Sequence, residues 1–237
     1  MPFPPAEEVF AEPVSKHAKH LLPLVSFDIS LISREWSGWL HFVMPIEPYD
    51  GVIGEDTHPY HDYYLRANWI GFRVEDGRYK LLGDFRYFFL ENHPGDSSVT
   101  ESYKGQRRLL EKYYRRARIS YEKHQQQFLN YGAIYHKFAK TDTYGRYKDE
   151  NRVPFIDELG GQPWHGNWSS GFPLKETLAV DEDGIEKQVA IPLTEDGRLF
   201  GYVGCLEADH YVDDKDCSLL LFYDARERTA LFTFHYT

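Results

Sequence analysis

Between Val25 and Ile32 the chain sets Val25, Phe27, Ile29 and Leu31 against Ser26, Asp28 and Ser30, the two-residue period of a half-buried strand. A second short strand is expected over Trp39–Val43, ended by Pro45. Trp69–Val74 and Tyr79–Leu82 flank Glu75-Asp76-Gly77-Arg78, a hairpin signal with a slightly longer loop than two residues, and Phe85–Leu90 reads as a third member of that meander. The same pattern returns later. Thr177–Val180 and Gln188–Ile191 bracket Asp181-Glu182-Asp183-Gly184, and Leu199–Glu207, Ser218–Tyr223 and Thr229–Tyr236 follow as strands.

Between the two β-rich blocks the period changes. Leu109 and Tyr113 share a helical face, and Leu110, Tyr114, Tyr121 and Phe128 recur on another. Ser98 with Glu101 three residues later matches a capping box, and only Gly105 interrupts the run. One long helix is therefore expected around residues 98–130. Residues 1–24, with Pro2, Pro4, Pro5, Pro13 and Pro23, read as an irregular arm holding one short helix near Glu12–Leu22, which Pro23 ends. Polar residues 141–153 read as an exposed loop. The expected fold class is α+β, mostly antiparallel sheet in meanders and hairpins with one long basic helix. It forms a single compact domain over 1–237, with a sub-division at 141–153 as the alternative. No β–α–β alternation supports a doubly wound sheet.

Composition sharpens this picture at two points. Aromatic residues make up 16% of the 237 residues, with 18 Tyr, 16 Phe and 5 Trp, which argues against wholesale disorder. No apolar run is long enough to span a bilayer, and the first residues carry neither a basic segment nor an apolar core, so a cytoplasmic location without membrane contact is expected. Two cysteines, Cys205 and Cys217, are too few for a disulfide scaffold or a zinc ribbon and are expected as buried thiols.

The net charge of −10 is unevenly placed. Residues 104–123 hold eight Lys and Arg against Glu111 and Glu122, a local +6, whereas residues 181–216 hold eleven acids against three cations, a local −8. The helix cations either pair with the protein's own acidic loops or face a partner. Nucleic acid is an unlikely partner, because it would meet long-range repulsion from a chain of this charge. The acidic segment, Asp213, Asp214 and Asp216 above all, suggests a surface that docks onto a basic protein. Calcium is disfavoured, since neither acidic loop carries the distal Glu of a full ligand loop.

Candidate chemistry is sparse. His58 and His61 stand three residues apart with Asp62 beside them and could share a metal, but Pro59 makes this a loop. No GxSxG elbow and no P-loop occur, no catalytic residue is assigned, and no cofactor is expected. Gly160-Gly161-Gln162-Pro163-Trp164, with Trp168 soon after, reads as either a structural corner or a binding groove lined by the two indoles.

That loop, the strand Leu199-Phe200-Gly201-Tyr202-Val203-Gly204-Cys205 and the run Leu219-Leu220-Leu221-Phe222-Tyr223-Asp224 resemble the YwqG-like family of uncharacterised bacterial proteins. The resemblance covers about residues 155–237. Two positions depart from the family pattern: Ser169 rather than Pro follows Trp168, and Cys205 or Leu206 stands where a Gln is expected. The resemblance implies an α+β fold with extensive antiparallel sheet, carries no established reaction, and includes relatives that look like immunity or accessory proteins beside secreted toxins. The expected function is a non-enzymatic binding protein, in its most specific form an acidic immunity-type inhibitor of a basic toxin. The alternative is a small-molecule binding protein or accessory enzyme of a biosynthetic pathway using the Trp164/Trp168 loop.

Overall fold

The computed structural model describes residues 1–48, 51–93, 107–180 and 184–236. Its centre is a seven-stranded antiparallel sheet. The strands are β3 (Leu65–Arg66), β4 (Trp69–Glu75), β5 (Arg78–Leu81), β8 (Glu158–Leu159), β11 (Gly201–Glu207), β12 (Cys217–Asp224) and β13 (Thr229–Tyr236). Their order is β3-β4-β13-β12-β11-β8, with β5 also on β4, so both β-rich blocks of the sequence share one sheet.

Alternation assigns each strand residue to a face. Ile70, Phe72 and Val74 of β4, Ala230, Phe232 and Phe234 of β13, and Leu219, Leu221 and Tyr223 of β12 face the larger core cluster. Trp69, Leu231, Leu220 and Phe222 face the smaller one on the other side. The larger cluster is closed by helix α3 (Arg107–Tyr131) and by a separate hairpin, β1 (Leu21–Asp28) with β2 (Trp39–Pro45). The smaller one is covered by the loop that carries Trp168 and Phe172, and by Ala190 at the base of a second separate hairpin, β9 (Leu174–Val180) with β10 (Glu186–Pro192). The fold is α+β, as the hydrophobic pattern predicts, with the long helix in place. The capping box at residues 98–101 lies outside the described residues.

Three segments differ from their expected form. The N-terminal arm is more ordered than expected: α2 (Val14–His20) is the short helix expected near Glu12–Leu22 and leads straight into β1, but α1 (Ala6–Val9) precedes it, and Phe3, Val9 and Phe10 are core residues. Pro23 does not end a helix; it sits inside β1 beside a register shift in the pairing with β2, where a missing N–H is tolerated. Beyond Asp28, the expected strand to Ile32 becomes a 3₁₀ turn, because the Asp28 carboxylate accepts the Ser30 N–H at 2.9 Å. Phe85–Leu90 is not a strand either. Asp84 accepts the Arg86 N–H, the Asn92 amide donates to the carbonyls of Arg86, Phe88 and Phe89, and two successive 3₁₀ turns bury Tyr87, Phe88 and Phe89 together. Three consecutive buried rings are a pattern that a one-sided strand cannot deliver. The β4–β5 hairpin closes on two residues, Asp76 at φ +49° and Gly77 at φ +77°, tighter than the longer loop expected, because Glu75 and Arg78 themselves pair and Asp-Gly tolerates positive φ.

Candidate partner-binding surfaces

The Gly160-Gly161 corner follows β8. Both glycines have positive φ, +75° and +80°, a conformation side chains rarely adopt, so the turn favours glycine at both positions. Beyond it, Trp168 is wholly buried, with ring centroids 5.8 Å from Trp69 and 5.6 Å from Phe222. Trp168 therefore forms core, and the groove reading of the Trp164/Trp168 pair does not hold for it. Trp164 is only partly buried and stands edge-on to His235 at 6.1 Å. The loop is tied down elsewhere: Trp69 Nε1 donates to Ser170 O at 2.8 Å, and Tyr236 N donates to Asn167 Oδ1 at 3.2 Å.

The acidic loop after β11 does not stand free. His124 and Lys123 of α3 bind Asp213 at 2.9 and 3.3 Å, and Arg116 binds Asp214 at 3.0 Å. Lys137 reaches Asp216 and Asp209, each at 3.4 Å. Burial works against the Asp213 charge, but the His124 and Lys123 hydrogen bonds outweigh it and hold this carboxyl below its ordinary range. Of the residues singled out as a docking face for a basic partner, Asp213 and Asp214 are thus paired with side chains of α3 and Asp216 with Lys137 beyond it, while Asp214 and Asp216 stay largely exposed.

His58 and His61 do come together, with ring centroids 4.8 Å apart, but His61 Nε2 lies 2.8 Å from Gly54 O and Asp62 accepts the Tyr63 N–H. Among the described residues no group of three or more His, Cys, Asp or Glu side chains could hold a metal ion, so this pair is not assembled into a metal site. Cys205 and Cys217 are free and buried, and burial pushes their thiols up to about 12 and about 11, far from a reactive thiolate.

The sequence gives no sign of one buried polar chain, because its members lie far apart along it. Glu47 on the strand-end after β2 faces the Tyr114 hydroxyl at 2.9 Å, Tyr114 faces His20 Nδ1 at 2.9 Å, and His20 Nε2 faces Glu91 at 2.9 Å. Lys19 also binds Glu91. Burial pushes Glu47 up to about 7 and His20 down to about 4. Burial also opposes the Glu91 charge, but the Lys19 and His20 hydrogen bonds win and hold it below its usual range. With Glu47 ionised, the Tyr114 hydroxyl donates to its carboxylate. Below neutrality the protons then close in one direction: once Glu47 is protonated its carboxyl donates to Tyr114, Tyr114 to His20 Nδ1, and His20 Nε2–H to the Glu91 carboxylate. Nearby, Lys215 is buried with Nζ on Pro48 O at 3.2 Å and over the Tyr113 ring, and burial lowers it to about 8. The Glu47–Tyr114–His20–Glu91 chain links α2, α3 and the end of β2.

What does reach solvent is the β9–β10 hairpin. Lys175–Leu178, Val180 and Gly184–Gln188 are all exposed, and only the base, with Val189 and Ala190, is buried. Leu178 and Val180 share one face and are 65% and 60% exposed. The two strands form a sheet of their own, so each has an outer edge without a named strand beside it. A cleft of about 450 Å³ is lined by Tyr63, Tyr64, Arg73 and Glu195, and within it Lys80 pairs with Glu75.

Compared with known proteins, the chain matches no family model, no curated protein and no solved structure. No helix among the described residues is long and apolar enough to cross a membrane.

Proposed function

We propose that the protein is a non-enzymatic, cytoplasmic binding protein that docks a protein partner, an immunity-type inhibitor of a toxin being its most specific form. The β9–β10 arm supports this reading. An isolated two-stranded hairpin is marginal in water. This one carries Leu178 and Val180 in the open, and β9 has an outer edge with no named strand beside it, the geometry on which partner strands add. In sequence the arm is acidic, with Glu176, Asp181, Glu182, Asp183 and Glu186 against Lys175 and Lys187, which suits a basic partner. A basic toxin remains a form of the proposal through acidic surface other than Asp213, Asp214 and Asp216. The likeness of residues 155–237 to the YwqG-like family belongs to the same proposal.

The test has two stages. Tagged protein captures its partner from host lysate, and the purified partner is then titrated calorimetrically against the wild type and a Leu178→Asp/Val180→Asp variant. The reading expects at least a tenfold loss of affinity in the variant, whose thermal unfolding stays at the wild-type temperature. Equal affinity for both proteins would sink it, as would the absence of any partner that survives purification and titration.

A further inference from the structure

The cations of α3 divide into two sets. Arg107 donates to the carbonyls of Leu90 and Asn92 and pairs with Glu111, Arg118 donates to the carbonyls of Ala18 and Lys19, and Arg116 and Lys123 bind Asp214 and Asp213. Arg108, Lys112 and Arg115 have no hydrogen bond or ion pair among the described residues, and all three are exposed. Their spacing of four and then three residues places them in one stripe, about 10 Å long at 1.5 Å per residue. Like charges so spaced repel one another; the acid beside them on α3, Glu111, stands three residues from Arg108 and four from Arg115 and pairs with Arg107. Leu109, 52% exposed, lies alongside, and Ile119, 66% exposed, continues the stripe by one turn. Glu122, the next exposed residue on this face, bounds it with the opposite sign.

We propose that this outer face of α3 is a docking surface for an acidic segment of a protein partner, with carboxylates set against Arg108, Lys112 and Arg115 and aliphatic side chains against Leu109 and Ile119. Charge complementarity chooses the sign of the occupant, and the two exposed aliphatics choose a protein over a bare polyanion. The size of the stripe argues the same way. Three cations match a short run of carboxylates. A duplex or an anionic bilayer extends well past them and meets the remainder of a chain whose net charge is −10. The surface is separate from the β9–β10 arm and does not depend on the arm's role.

The experiment uses the full-length protein and a fluorescein-labelled peptide of Glu with interspersed Leu, read by anisotropy at low and at moderate salt. The expected result is saturable binding that falls at least tenfold in Arg108→Glu/Lys112→Glu/Arg115→Glu and severalfold in Leu109→Ser/Ile119→Ser. Binding should be nearly unchanged in Arg116→Glu, whose wild-type cation is already engaged by Asp214. Circular dichroism checks that each variant keeps its helix. Because all three stripe residues are solvent-exposed, a variant that loses the helix is replaced by the corresponding triple Gln. No binding by the wild type, or equal loss in the Arg116 variant, overturns the proposal. So does tighter, stripe-dependent binding of a short DNA duplex or of phosphatidylserine vesicles than of the peptide, since the stripe would then serve a polyanion.

Discussion

At the scale of single residues, Glu47 couples protonation to the fold. Its carboxyl is raised from 4.5 to about 7, chiefly by burial. A raised pKa means that the folded state holds the proton more tightly than the unfolded chain. The stabilisation is complete below about pH 4.5 and is lost as pH climbs through 7. Its size is on the order of 3 kcal/mol. His20 has the opposite sign: lowered to about 4 by burial, it stabilises above 6.5 and loses that contribution as pH falls through 4. Gln at position 47 copies the protonated acid, since its amide N–H can donate to Tyr114 while its oxygen accepts the Phe89 N–H, which reaches Glu47 at 3.0 Å. We therefore expect Glu47→Gln to match the wild type near pH 5 and to exceed it at pH 8 in urea denaturation. A variant less stable than the wild type at both values would refute this proton assignment. None of this chain was legible in the sequence, because Glu47, Tyr114, His20 and Glu91 meet only through tertiary packing. Trp168 was illegible for a different reason. A Trp in a Gly- and Pro-rich loop has no period to declare its face, so cover and groove look alike.

At the scale of elements, regular patterns translated directly. The long aromatic stripe became α3, and Asp76-Gly77 became a turn, tighter than the loop expected. The failures fell where a local side-chain bond outbid the apolar pattern, as Asp84 and Asn92 do around Phe85–Leu90. The charge asymmetry was legible too, but whether the helix met the acidic loop was a question of tertiary geometry. In the structure that contact is unequal along its length. Asp213 holds His124, whose ring is buried, and its backbone N–H bonds Ser120 Oγ at 2.8 Å, whereas Arg116 and Asp214 are both largely exposed. Removing the Asp213 carboxylate leaves a buried ring nitrogen unpaired, a cost of about 1–3 kcal/mol. An exposed ion pair contributes ~0–1 kcal/mol. Chemical denaturation should then show Asp213→Ala as clearly destabilising and Asp214→Ala as near neutral. Equal losses would mean that the helix and loop are held by net charge rather than by the His124 bond.

At the scale of the whole molecule, one sheet separates two cores, and the β9–β10 arm belongs to neither beyond its base. Val189 and Ala190 are buried and Thr177 pairs with Val189, so the hairpin can be closed there. We expect a chain with residues 178–188 replaced by Asn-Gly, a two-residue hairpin turn, to keep the sheet register at its base. The excised residues are exposed wherever they are described, except half-buried Ala179, and surface changes away from core or caps cost about 0.5 kcal/mol or less each way. Unfolding of the shortened chain should stay cooperative, with stability within about 1 kcal/mol of the full one. Affinity for the partner recovered with the full chain should be lost. This pairing of outcomes separates an arm kept for docking from one kept for folding. A shortened chain that unfolds in two steps, or loses several kcal/mol, would place the arm in the folding unit. One that binds as before would move the docking surface elsewhere, with the outer stripe of α3 as the next face to examine.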